Sequence, residues 1–197
     1  HAESDEKDRT ACSAPAGRYG GSYGSGVQQS VWSVRRNSVS GNIKGIFYGV
    51  STGPGDPELI TVKAVNTIKK CSIIIVPQTK NENMLALSIA QKSVDMTDKL
   101  IVPIKFLMSH DIEKTQENHK RSAETIMEYL RQGHDVAMLN IGDISIYSTC
   151  SYILNIIEKN GFETEVCAGV PSFCAAAARL KKPLVSRKEV LVVAPGY

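Results

Sequence analysis

Ser72-Ile-Ile-Ile-Val76 is a continuous apolar run of the kind that a parallel sheet buries on both faces. From residue 45 onward, strand and helix patterns alternate around it. Ile46, Phe47, Tyr48 and Val50 read as a buried first strand, and residues 100–104, 135–139, 163–167 and 190–193 as later ones. Helices are expected from an opening at Asp56-Pro57-Glu58 to near Lys70, and over residues 84–94, 113–131, 147–159 and 172–180. In residues 113–131, Ala123, Ile126, Met127 and Leu130 fall at i, i+3, i+4 and i+7 while charges occupy the other face, and Gly133 stops the helix. Ile153, Ile156 and Ile157 line one side of the next, which Asn160-Gly161 ends, and the alanines at 175–178 suit close helix packing. The alternation predicts an α/β fold with a largely parallel sheet.

Composition limits what such a fold can do. The chain has 197 residues, enough to bury a sizeable core, and a net charge of +3. Residues 1–44 hold six basic and four acidic side chains, so the remainder is nearly neutral and lacks a nucleic-acid footprint. Those first 44 residues are rich in Gly, Ser and charge, with YGGSYGSG at their centre and a few scattered apolar groups such as Val27, Val31, Trp32 and Val34. They read as a tail, disordered or foreign, because so few apolar groups cannot offset an ordering entropy of roughly 1–2 kcal/mol per residue. Five cysteines without a C-x-x-C pair suggest neither a disulfide framework nor zinc, and fit a reducing cytoplasm. No apolar run approaches the roughly 18 residues of a membrane span. His110, His119 and His134 lack ligand spacing and are expected at the surface, so no metal site is predicted. Cys150 and Cys174 have no histidine near in sequence to activate them, and no G-x-S-x-G elbow is present.

The chemistry-bearing stretches are loops at the carboxyl ends of expected strands, where open α/β sheets bind ligands. The first, within GVSTGPGDPELITVKA at 49–64, packs Gly49, Gly53 and Gly55 with two prolines between strand and helix. Its G-x-x-x-G-x-G spacing matches neither the dinucleotide fingerprint nor the P-loop, so a phosphate cradle loses support. The second, residues 141–148, offers Gly142-Asp143 followed by Ser145, Tyr147 and Ser148; the third is Ala168-Gly-Val-Pro-Ser172. A tight βα turn, a helix cap at Asp143 or Ser145, and a helix start at Pro171 are the ordinary alternatives. From the residues alone both readings stay open. Arg179, Lys181, Lys182, Arg187 and Lys188 form a solvated face that could also receive a polycarboxylate.

Taken together and in this order, GVSTGPGDPELITVKA, IGDISIYST and AGVPSFCAAAARLKKPL resemble the tetrapyrrole methylases over roughly residues 45–197. The likeness is greatest to the branch that methylates C-20 of precorrin-2 or of cobalt-factor II. The resemblance implies two αβα domains with S-adenosylmethionine in the cleft between them, a homodimer, and a place in cobalamin biosynthesis. On that basis residues 45–161 are expected to form the first domain and 162–197 the start of a second, truncated one that stops just after a strand. Cofactor contacts carried over from the family fall on Pro54, Ile141, Gly142, Asp143, Pro171 and Ser172. Asp56, Asp143 and Tyr147 are candidates for assisting proton loss or orienting the ring, without a firm acid–base assignment. The chain has Ser51 where the family usually has Gly, Ile144 and Ala168 where it has Pro, and Pro171 where it has Thr or Ser. Methylation at another ring position, or a non-catalytic ligand-binding α/β module, are the competing expectations.

Overall fold

Every residue of the first strand, β1 (Phe47–Ser51), is buried, because it has a neighbour on each edge and helices on each face. The computed structural model describes residues 44–78, 84–107 and 111–194; the expected tail, apart from Lys44, and His110 lie outside these. Four further strands, β2 (Ile73–Gln78), β3 (Leu100–Lys105), β4 (Val136–Asn140) and β5 (Thr164–Cys167), complete one sheet in the order β3-β2-β4-β1-β5, with every pairing parallel. Pro103 lies in β3, at the edge where a missing backbone donor is tolerated.

The helices are α1 (Val62–Lys70), α2 (Leu85–Ala90), α3 (Ile112–Arg131), α4 (Thr149–Lys159) and α5 (Ser172–Leu180). Alternation along the strands divides the core in two. Phe47, Ile73, Ile75, Val136 and Met138 meet Ile126 and Leu130 of α3 and Ile153 and Ile157 of α4. Tyr48, Val50, Ile74, Val76, Ala137 and Leu139 meet Ala64 and Ile68 of α1 and Ala86 and Leu87 of α2. β1 and β4 are therefore neighbours whose following helices leave toward opposite faces. Strand ends with diverging connections of this kind are where open α/β sheets bind ligands.

Several boundaries differ from the sequence expectation. The first helix is interrupted: Asp56 caps a single 3-10 turn, Pro57–Leu59, by accepting from Glu58 N–H at 3.0 Å. Ile60 is extended, and Thr61 starts α1 afresh by accepting from Ala64 N–H at 3.2 Å. α2 is shorter than expected because Gln91 to Ser93 continue only as turns. α4 begins at Thr149 rather than Tyr147, since Tyr147 has φ 47° and Ser148 supplies the cap to Cys150 N–H. Thr164–Cys167, expected to open a second domain, instead pairs with β1 as the fifth strand of the same sheet.

Residues 190–193 are not a strand. They have no sheet partner among the described residues, and Val190 and Val192 stand 82% and 78% exposed. β-propensity without a neighbour to share hydrogen bonds does not make a strand. Likewise α5 buries none of its side chains, so the alanine-rich helix finds no close packing partner among the described residues.

Core truncation should separate these two regions. Ile153→Ala, at a fully buried position between α4 and the sheet, should cost about 2–5 kcal/mol in urea unfolding. Val192→Ala should stay within about 0.5 kcal/mol of the parent. Equal losses at the two positions would contradict the division between core and exposed segment.

Candidate functional site

The three glycine-bearing loops meet beyond the carboxyl ends of β1, β4 and β5, joined by direct hydrogen bonds. Gly142 N–H donates to Gly53 C=O at 2.8 Å, an isolated antiparallel bridge between the first and second loops. Beneath it, both the N–H and the hydroxyl of buried Thr52 donate to Asn140 C=O, at 2.8 and 3.1 Å. Ser51 Oγ accepts from Ile144 N–H at 3.0 Å. The third loop is tied in by Gly169 N–H, which donates to Asp143 Oδ2 at 2.6 Å, and by Thr61 Oγ1, which donates to Ala168 C=O at 3.3 Å.

Two glycines serve this junction for different reasons. A Cβ on Gly169 would lie 2.4 Å from both Gly142 C=O and Ser51 Cβ, so only glycine lets the third loop close against the other two. Gly142 has φ 70°, and a Cβ there would meet nothing within 4 Å. Its conformation demands glycine, while the space in front of its backbone stays open.

Asp143 is a tie. Burial works against its charge, but the Gly169 N–H, the Ser145 hydroxyl and the Ser145 N–H hold its pKa below the ordinary carboxylate value. A carboxylate engaged in this way is a weak proton acceptor. Asp56 is exposed and caps the 3-10 turn. Tyr147 stands 66% exposed beside a groove of about 540 Å³ lined also by Ser145, Ser148, Ser151, Tyr152 and Asn155, and its hydroxyl donates to Val193 C=O at 3.0 Å. Pro54 lies between Gly53 and Gly55 at the rim, Ile141 is 46% exposed beside Gly142, and Pro171 and Ser172 form the start of α5.

Sequence reasoning gave no role to Thr52 and Asn140, and placed Ser148 and Gly169 in the loops without seeing that they hold them together. Ser148 Oγ donates to Asn140 Oδ1 at 2.7 Å, so the polar end of β4 clamps its own loop. A polar pair such as Ser51-Thr52 at the end of an apolar strand is the signal that points to such a role. Of the histidines, His134 is exposed, but His119 is buried and stacks on Tyr152 with ring centroids 5.2 Å apart. Its place on the covered side of α3 overrides the surface expectation, and burial lowers its pKa. Cys150 is buried beneath the site, where desolvation pushes its thiol up to about 12 and removes it as a nucleophile at neutral pH.

Residues 47–197 match the family model for tetrapyrrole (corrin/porphyrin) methylases. The chain belongs to that family. Among curated proteins, one from Methanocaldococcus jannaschii, named a probable cobalt-precorrin-2 C(20)-methyltransferase, is 36% identical over 75% of this chain and 63% of its own length. A cobalt-precorrin-2 C(20)-methyltransferase of Salmonella typhimurium is 32% identical over 77% of this chain and 63% of that protein. The chain thus spans less than two thirds of these relatives. The methylase fold is seen in a cobalamin-synthesis-related protein (CobF) of Corynebacterium diphtheriae, with a TM-score of 0.61 at 20% identity over 75% of this chain and 62% of that one. It is seen again in a uroporphyrin-III C-methyltransferase of Thermus thermophilus complexed with S-adenosylhomocysteine, with a TM-score of 0.53 at 22% identity over 73% of this chain and 51% of that one. Ser51 and Ile144, two of the positions at which the sequence is expected to depart from the family pattern, are partners in a single buried hydrogen bond.

The depressed pKa of Asp143 sets a pH test. Its bonds contribute stability that is fully present above the ordinary value of 3.8 and is lost as pH falls through the lower native value. Asp143→Asn should therefore melt below the parent at pH 7, and the gap should narrow as both are titrated toward pH 3. A gap that persists or widens in acid would contradict the assignment of Asp143 as an ionised tie.

Proposed function

We propose that this region binds S-adenosylmethionine against the three converging loops and supports methyl transfer to C-20 of precorrin-2 or cobalt-factor II in cobalamin biosynthesis. The observation that carries the reading is the junction itself: three loops leave the carboxyl ends of adjacent parallel strands, with unobstructed backbone at Gly142. The names of the relatives from Methanocaldococcus jannaschii and Salmonella typhimurium support C-20 as the position.

The donor set fits the cofactor. Adenosine and methionine groups carry no phosphate, and can be held by backbone N–H and C=O groups with apolar walls. Pro54, Ile141, Gly142, Asp143, Pro171 and Ser172 would hold it. When bound, S-adenosylmethionine supplies a methyl group already activated by its sulfonium. The residues here then have three tasks: to fix the loops, to exclude water and to align the acceptor. None requires a nucleophilic side chain, in keeping with a buried Cys150 and a site of glycines, prolines and hydroxyls. Tyr147 is the candidate best placed to orient the macrocycle, because its ring stands exposed at the edge of the groove with only its hydroxyl engaged, by Val193 C=O, whereas the carboxylates of Asp143 and Asp56 are held by the loops and by a turn.

Exposed Arg179, Lys181, Lys182, Arg187 and Lys188 support a substrate rich in acetate and propionate groups. The free cysteines at 71, 150, 167 and 174 suit a reducing cytoplasm. The exposed apolar side chains of α5 and residues 184–193 favour burial against further polypeptide, a second copy in a homodimer included. No helix of the described residues is long and apolar enough to cross a membrane.

Methyl transfer is tested with carbon-13 methyl-labelled S-adenosylmethionine and precorrin-2, followed by NMR of the macrocycle. Label on the bridging C-20 carbon is expected. Label on a pyrrole carbon would move the protein to another branch of the family, and bound cofactor without any transfer would favour a ligand-binding module.

A further inference from the structure

Ser51 is the last residue of β1 and is fully buried where the three loops join. Its hydroxyl accepts from Ile144 N–H at 3.0 Å, and its Cβ occupies space that a Cβ on residue 169 would need, 2.4 Å away. One small side chain therefore touches the second loop by a hydrogen bond and the third by contact. The Ile144 side chain is anchored on the same strand, with its Cδ1 only 2.3 Å from where a Cβ on Gly49 would stand. Immediately before this doubly anchored residue comes Asp143, whose carboxylate accepts from Gly169 N–H.

We infer that Ser51 is a positioning residue for the cofactor site: its hydroxyl latches Ile144, and through it holds Asp143 and the third loop at the spacing the ligand meets. The inference rests on reading the three-loop junction as the S-adenosylmethionine site. The physical reason is the asymmetry of buried hydrogen bonds. A net bond contributes little, but a buried N–H left without an acceptor keeps its full desolvation cost, and the segment carrying it moves to find a partner. Here the segment that moves is the one bearing Gly142 and Asp143. Proline at 144 has no N–H, so it needs no acceptor at 51.

The test combines cofactor affinity with amide exchange in the full chain, using S-adenosylhomocysteine as the probe. Ser51→Ala should weaken binding by about five- to tenfold and speed exchange at the Ile144 and Gly169 amides, while those of Tyr48 and Val50 in mid-strand stay protected. In an Ile144→Pro background the same Ser51→Ala change should alter affinity by less than about twofold, because the donor is already gone. A Ser51→Ala protein with parental affinity and a protected Ile144 amide overturns the inference. So does an equal loss in the Ile144→Pro background, which would make Ser51 a packing residue only. If the unsubstituted chain binds no S-adenosylhomocysteine, the site reading itself fails, and that outcome is distinct from either of these.

Discussion

The adjacency of β1 and β4 is the constraint on which the rest depends. The two strands run parallel at the heart of the sheet, and their residues are buried on both faces, so their connections must begin at the same end and diverge. α1 follows β1 onto one face and α4 follows β4 onto the other. The first turns after each strand are thus held side by side, close enough for Gly142 and Gly53 to form a backbone bridge. β5 brings the third loop alongside by pairing with the free edge of β1. The candidate site is a consequence of strand order.

Polar groups at this corner are largely engaged with one another. Asn140 C=O serves Thr52 twice, Ser148 closes on the Asn140 side chain, Ser51 takes Ile144 N–H, and Asp143 gathers Ser145 and Gly169. A group that holds a loop in a fixed place is a poor choice for shuttling protons. What remains open to a ligand is the space on the side of Gly142 where a Cβ would stand, and the exposed side chains of Ile141 and Tyr147. Such a surface suits a reaction in which the reactive group arrives already activated and alignment is the protein's contribution.

Much of this was legible in the residues. The run at 72–76 reads as a doubly buried strand because a parallel sheet buries such runs on both faces and the surrounding pattern alternates strand with helix, and α3 reads as a helix because its apolar positions return every 3.6 residues. The convergence of the three loops follows from the rule that ligands collect at the carboxyl ends of strands. Residues 190–193 have the composition of a strand but no edge to pair with, and pairing is a long-range property that local pattern does not encode. The place of Thr164–Cys167 in the first sheet, and the bond from Ile144 to Ser51, each join residues about 90 or more apart or depend on strand order. Single-sequence patterns carry no such information. His119 falls on the inner side of α3 by helical spacing, a signal that a reading based on ligand motifs passed over.

The central claim is that a ligand lies against the bare backbone of Gly142, and a matched pair of substitutions tests it most directly. Gly142 and Gly161 both have positive φ, 70° and 76°, and a Cβ on either would meet nothing within 4 Å, but only Gly142 lies at the junction of the loops. Leucine at either position introduces the same kind of backbone strain, of the order of 1 kcal/mol or more. Calorimetry with S-adenosylhomocysteine should show binding lost in Gly142→Leu and kept in Gly161→Leu. Equal affinity in the two proteins would contradict the account.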